Sequence, residues 1–104
     1  MILRILALGD VVGHYGLSLL TKGRRLNELR QTLRADLVIV NAENTSPGNG
    51  LCPDDADTLL NAGCDVITGG NHIFRHHSLY PLLDECSSVI RPANYPAAAP
   101  GCGY

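Results

Sequence analysis

Four short apolar runs, each closing on a polar or glycine-rich turn, constrain this chain more than any other feature. Ile2 to Leu8 ends in Gly9-Asp10, Asp36 to Val40 in Asn41, Val66-Ile67-Thr68 in Gly69-Gly70-Asn71, and Ser88-Val89-Ile90 in Arg91-Pro92. The runs are near-continuous and rich in β-branched residues rather than alternating, the pattern of parallel strands covered on both faces. Between them lie helical repeats. Leu26, Leu29 and Leu33, with Leu19 and Leu20 a turn or two earlier, share one helix face. Gly23 interrupts that segment at a cost of about 1 kcal/mol against alanine, marking a bend or a later helix start. Pro53-Asp54-Asp55 opens a second helix, expected to run to about Ala62 before Gly63 stops it. A third is expected from about His76 to Glu85, with Leu79, Leu82 and Leu83 on one face. The order βαβαβαβ implies right-handed crossovers and an α/β fold built on a mainly parallel sheet. Residues 92–104, rich in Pro, Ala and Gly, read as a loop or a linker.

With 104 residues, 45% of them hydrophobic, the chain suits one compact domain with a single modest core. Its formal net charge is −2 and the charges are scattered, so it lacks the basic stripe that tracks a nucleic-acid polymer or an anionic membrane. The apolar start is too short to span a bilayer, is broken by Arg4, and lacks the layout of a secretory signal. A cytoplasmic location with no membrane partner is the expectation. Cys52, Cys64, Cys86 and Cys102 form no Cys-x-x-Cys pair, which argues against zinc or redox motifs and for isolated reduced thiols.

In open parallel sheets, ligand sites gather beyond the carboxyl ends of the strands, where the loops converge. Asp10, Glu43, Asn44, Asn71 and His72 all follow such ends and are expected on one rim. Oxygen ligands of this kind suit hard or borderline divalent metals, and a carboxylate set between two strands can bridge two ions. A paired centre holds a phosphate ester and lowers the pKa of a bound water, while an imidazole that titrates near neutral pH can protonate the leaving oxygen. Each group also has a plainer role: Asp10 as a turn former or cap, and Asn71 as the N-cap of the third helix. Glu43-Asn44 has less of an alternative, because no obvious helix begins after it. His76 and His77, beside Arg75, read as a solvated helix start. The glycines of Gly9-Asp10-Val11-Val12-Gly13 match neither a dinucleotide fingerprint nor a P-loop, and no Ser or Cys lies in a nucleophile elbow.

Gly9-Asp10-Val11-Val12-Gly13, Asn41-Ala42-Glu43-Asn44, Gly70-Asn71-His72 and Arg91-Pro92-Ala93-Asn94-Tyr95-Pro96 occur together and in order, followed by Pro100-Gly101-x-Gly103-Tyr104. In this the chain resembles the YmdB-like family of calcineurin-type metallophosphoesterases. The resemblance implies a bacterial cytoplasmic phosphodiesterase that uses two divalent ions, iron or manganese, on small phosphodiesters such as cyclic nucleotides. It assigns Asp10 to the first metal, Glu43 to a bridge between the two, Asn71 to the second metal, Asn44 to a place near one metal or the substrate phosphate, and His72 to the proton donor. It also implies a four-layer αββα sandwich of which residues 1–104 are the N-terminal part, so that one sheet face is left uncovered and open to self-association. A further metal-binding histidine and a His-x-His pair, expected from the resemblance, do not occur among His14, His72, His76 and His77. The first loop departs too, with His14-Tyr15 and Leu17 where a basic residue, a proline and an arginine are usual. The resemblance therefore makes the chain a metal-dependent phosphodiesterase, weak or inactive in this length. The alternatives are a non-catalytic α/β binding module that keeps the rim residues, and a flavodoxin-like nucleotide binder.

Overall fold

A computed structural model describes residues 1–104. Its strands are β1 (Ile5–Leu8), β2 (Leu37–Asn41), β3 (Val66–Thr68) and β4 (Val89–Ile90), and they form one all-parallel sheet in the order β1-β2-β3-β4. The register pairs Ala7 with Ile39, Ile39 with Val66 and Thr68 with Ile90. The first run is shorter than its apolar length suggests, because Met1 to Arg4 remain exposed ahead of the sheet.

Helices α1 (Gly13–Thr21), α2 (Arg25–Leu33), α3 (Pro53–Asn61) and α4 (Tyr80–Glu85) complete the fold. Gly23 does more than bend the first helical segment. With Gly23 at φ 61° and Arg24 at φ 62°, two successive left-handed residues break it into α1 and α2 across a 3₁₀ turn, so the first crossover contains two helices. In the third helical segment, a 3₁₀ turn at His77–Leu79 precedes α4, with Pro81 in its first turn.

A repeated clasp at the amino ends of the strands sets the register. The Asp36 amide donates to the Arg4 carbonyl (2.8 Å) while the Asp36 carboxylate accepts the Arg4 N–H (2.8 Å). Asp65 does the same to Val38, at 2.9 and 2.8 Å. Each aspartate thus fixes the residue beside it at two points, and each lies just before the apolar run that it places.

The apolar runs suggest two covered faces, but only one is covered here, and the other is open as the family resemblance implies. Sequential strand order with right-handed crossovers carries every helix to the same face of the sheet. Val38, Val40, Ile67 and Val89 on that face are buried, and they pack with Leu26, Leu51, Leu59, Ile73 and Leu79 into one core. Each such side chain contributes roughly 1.5–3 kcal/mol by leaving water. The alternate residues Leu37, Ile39 and Val66 keep part of their surface, and Ile5 is 51% exposed. No helix is long and apolar enough to cross a membrane, and all four cysteines are free thiols.

The stretch 92–104 has no helix or strand, as its composition suggests, but it is tied down. Arg91, 6% exposed, donates from its guanidinium to the carbonyls of Pro92 (3.0 Å), Pro100 (3.1 Å) and Pro96 (3.4 Å), and its amide bonds the Cys102 carbonyl. One buried cation thereby replaces the backbone pairing that a proline-rich segment cannot make for itself.

Candidate metal and phosphate site

The loops that leave β1, β2 and β3 meet at the carboxyl end of the sheet. Backbone bonds lace them together: Val11 N–H to the Asn41 carbonyl (3.2 Å), Gly13 N–H to the Asn44 carbonyl (3.0 Å) and Ala42 N–H to the Thr68 carbonyl (3.1 Å). Asp10 turns the chain out of β1 in the left-handed region (φ 45°), which aspartate tolerates better than most residues. Its Oδ1 accepts a hydrogen bond from Asn44 Nδ2 at 2.9 Å. A carboxylate accepts only, so the amide nitrogen must face Asp10 and the amide oxygen must face away. That oxygen, Asn44 Oδ1, is buried and has no partner.

Glu43 lies a residue earlier, with its side chain 18% exposed. The carboxylate sits directly on Gly70, where any Cβ would collide with both of its oxygens. Its Oε2 accepts the backbone N–H of His72 at 3.1 Å. His72 Nδ1 is 3.5 Å from the same oxygen, within ion-pairing range but too far for a good hydrogen bond, and that buried nitrogen is otherwise unpartnered. Glycine at 70 is therefore a requirement of the glutamate.

Asp10, Asn44, Glu43 and His72 thus form two linked pairs on one rim. Asn71 is next to His72 but is exposed, and its side chain makes no hydrogen bond. It is not the N-cap of the following helix, since residues 71–74 form turns and α4 begins only at Tyr80. His76 and His77 stand apart: His76 Nε2 meets the Asn49 carbonyl at 2.8 Å, and His77 packs on Tyr80. His14 pairs with Asp55 at 3.1 Å. The largest hollow, about 300 Å³, lies under the tail between Arg91, Tyr95 and Tyr104, away from the rim residues.

The chemistry of the rim suits a hard cation. Two carboxylates stand without a Lys or Arg partner, an oriented amide oxygen is unsatisfied, and a buried imidazole nitrogen faces the glutamate. Sequence reasoning missed Asn41, whose Nδ2 reaches the Gly69 carbonyl at 3.4 Å and whose buried Oδ1 is likewise unpartnered. Its place immediately after the second apolar run was the available signal.

An all-parallel sheet with a polar rim at its carboxyl ends defines an α/β protein of the kind seen in phosphatase structures. A crystal structure of a novel phosphatase from Mycoplasma pneumoniae superposes with a TM-score of 0.84 at 35% identity, covering 97% of this chain and 37% of that one. A hypothetical protein from Thermus thermophilus gives 0.86 at 40% identity, with 97% and 38% covered. In sequence, the chain is 34% identical over 101 residues to the 2′,3′-cyclic-nucleotide 2′-phosphodiesterase of Bacillus subtilis. The YmdB-like protein family matches residues 6–104, and the chain belongs to that family. The match takes in 97% of this chain but only 38% of the Bacillus protein, so the chain spans about two-fifths of that relative's length.

Proposed function

We propose that this chain carries the N-terminal half of a metal-dependent phosphodiesterase site for small phosphodiester or nucleotide substrates. The observation that carries the reading is Glu43, a carboxylate held on Gly70 between the ends of β2 and β3 with no lysine or arginine to neutralise it. Asp10, Glu43, Asn44 and Asn71 would hold a pair of iron or manganese-type ions. Such ions, when bound, polarise the phosphate and lower the pKa of water.

The chain's own residues then have separable tasks. The His72 amide fixes one Glu43 oxygen, so the carboxylate enters the site already oriented. Asp10 holds the Asn44 amide nitrogen, which leaves the buried Asn44 oxygen free to serve as a ligand. With Nδ1 beside Glu43, the His72 ring has Nε2 left to pass a proton to the leaving oxygen. The further histidines expected from the family resemblance are absent from these 104 residues, so turnover by this length alone is expected to be slow.

Calorimetric titration of the chain with Mn²⁺ tests the ligand set. Binding is expected, and Glu43→Gln and Asp10→Ala should each weaken it at least tenfold. Unchanged affinity in both variants would sink the proposal. Assay on bis-p-nitrophenyl phosphate and a 2′,3′-cyclic nucleotide tests the incompleteness, which rapid turnover by the 104 residues would overturn.

A further inference from the structure

The loop that carries Glu43 and Asn44 runs from Ala42 to Cys52 without helix or strand, so something other than regular structure must hold it. Two of its residues, Thr45 and Ser46, are polar yet fully buried. Thr45 Oγ1 donates to the Val11 carbonyl at 2.7 Å, which joins this loop to the one after β1. Ser46 Oγ accepts the Cys52 N–H at 2.7 Å and donates to Asp55 Oδ2 at 2.5 Å. Asp55 Oδ2 also meets His14 Nε2 at 3.1 Å, in the first turn of α1 just beyond Asp10.

Asp55 thus stands outside both loops and bonds Ser46 in the loop after β2 and His14 at the start of α1, beside the direct ties that Thr45 and Asn44 make. Its side chain is 14% exposed, and it stands in the first turn of α3, where the helix dipole favours a negative charge. A short hydroxyl-to-carboxylate bond of this length is charge-assisted and stronger than a neutral one. The relay from the Cys52 amide through Ser46 to Asp55 polarises each bond in turn. The backbone consequences reach the ligands: Ser46 N–H bonds the Gly50 carbonyl (3.0 Å), Gly50 N–H bonds the Glu43 carbonyl (2.6 Å), and Gly13 N–H bonds the Asn44 carbonyl.

We propose that Asp55 is a positioning residue for the rim, locking the loops after β1 and β2 so that Asp10, Glu43 and Asn44 are presented together. The proposal rests on the metal-site reading given above for its purpose, but not for its local test. In the metal-free chain, Asp55→Asn and Ser46→Ala should each accelerate amide exchange at Gly13 and Gly50 at least tenfold. The Asn44 side-chain amide resonance should shift, while the sheet amides of Val40 and Ile67 keep wild-type protection. Ser46→Ala leaves the local charge intact and so separates positioning from electrostatics.

With Mn²⁺ as the probe, both variants should bind roughly tenfold more weakly, and the double variant no worse than either single one. Wild-type exchange at Gly13 and Gly50 in both variants would overturn the proposal. So would an equal acceleration at Val40 and Ile67, which would reduce Asp55 to a general stabiliser. Local loosening in a chain whose wild type binds no Mn²⁺ would support the positioning role and overturn the metal site instead.

Discussion

The two ends of this sheet both carry acidic residues, and the residues do opposite things. At the amino end, Asp36 and Asp65 are each consumed by a two-point clasp on the neighbouring strand, and Asp65 also meets Arg30 at 2.9 Å. At the carboxyl end, Asp10 and Glu43 have no cationic side-chain partner of the lysine or arginine type, and unsatisfied atoms of Asn41, Asn44 and His72 lie around them. Carboxylates that clasp backbone donors stabilise a fold, whereas acids grouped with buried unpartnered polar atoms and no lysine or arginine form a cluster that costs stability. Charge count alone would not separate the two groups.

The largest effect should come from breaking the amino end. Asp65→Ala strands the N–H of Val38, a residue with 0% exposure, and removes the register clasp, so a loss of about 1–3 kcal/mol is expected in urea unfolding. The Arg30 pair adds little, because both side chains are about a third exposed. Mn²⁺ affinity should not move. The carboxyl end should behave in reverse: Glu43→Gln is expected to leave stability within about 0.5 kcal/mol, or raise it, while abolishing tight metal binding. A glutamine variant as unstable as Asp65→Ala would erase the contrast.

Glycines sharpen the same comparison at somewhat smaller cost. Gly70→Ala forces a Cβ into the Glu43 carboxylate and should weaken Mn²⁺ binding about tenfold, whereas Gly9→Ala has open space around it and should do almost nothing. Equal effects from the two would mean that the seat under Glu43 is not what orients it.

Much of this was legible in the sequence, and the illegible parts have physical reasons. Strand positions, the start of α3 at Pro53 and the convergence of the loops follow from apolar runs and their punctuation. The one-sidedness of the sheet is not written in those runs and comes only through the family resemblance, because Leu37, Ile39 and Val66 on the open face are as apolar as Val38, Val40 and Ile67 on the covered one. Only strand order distinguishes them. Arg91 read as part of a motif, and its grip on three carbonyls of the tail depends on a fold-back that no local pattern encodes. Asp55 read as an ordinary first-turn acid, and its bonds to Ser46 and His14 span 9 and 41 residues. The open face itself should promote association, measurable by sedimentation at rising concentration and reduced by Ile39→Lys. Identical sedimentation of the two proteins would show that face to be inert.

The smallest expected effect lies beside the amino-end clasp, at Cys64. Burial pushes its thiol up from 9.0 to about 11, with the neighbouring Asp65 charge adding to the rise against the lowering effect of nearby backbone hydrogen bonds. The folded state therefore holds this proton more tightly than the unfolded chain does. That contribution to stability is fully present below pH 9 and is lost as pH rises towards 11. Cys64→Ala should flatten the decline of the thermal midpoint over that window while sparing the neutral range. At about pH 8 a maleimide should label the exposed Cys102 readily and Cys64 only on unfolding. Matching rates at the two thiols in folded protein would mean that the amino end opens as freely as the tail, and the clasp would then lose its claim to hold it.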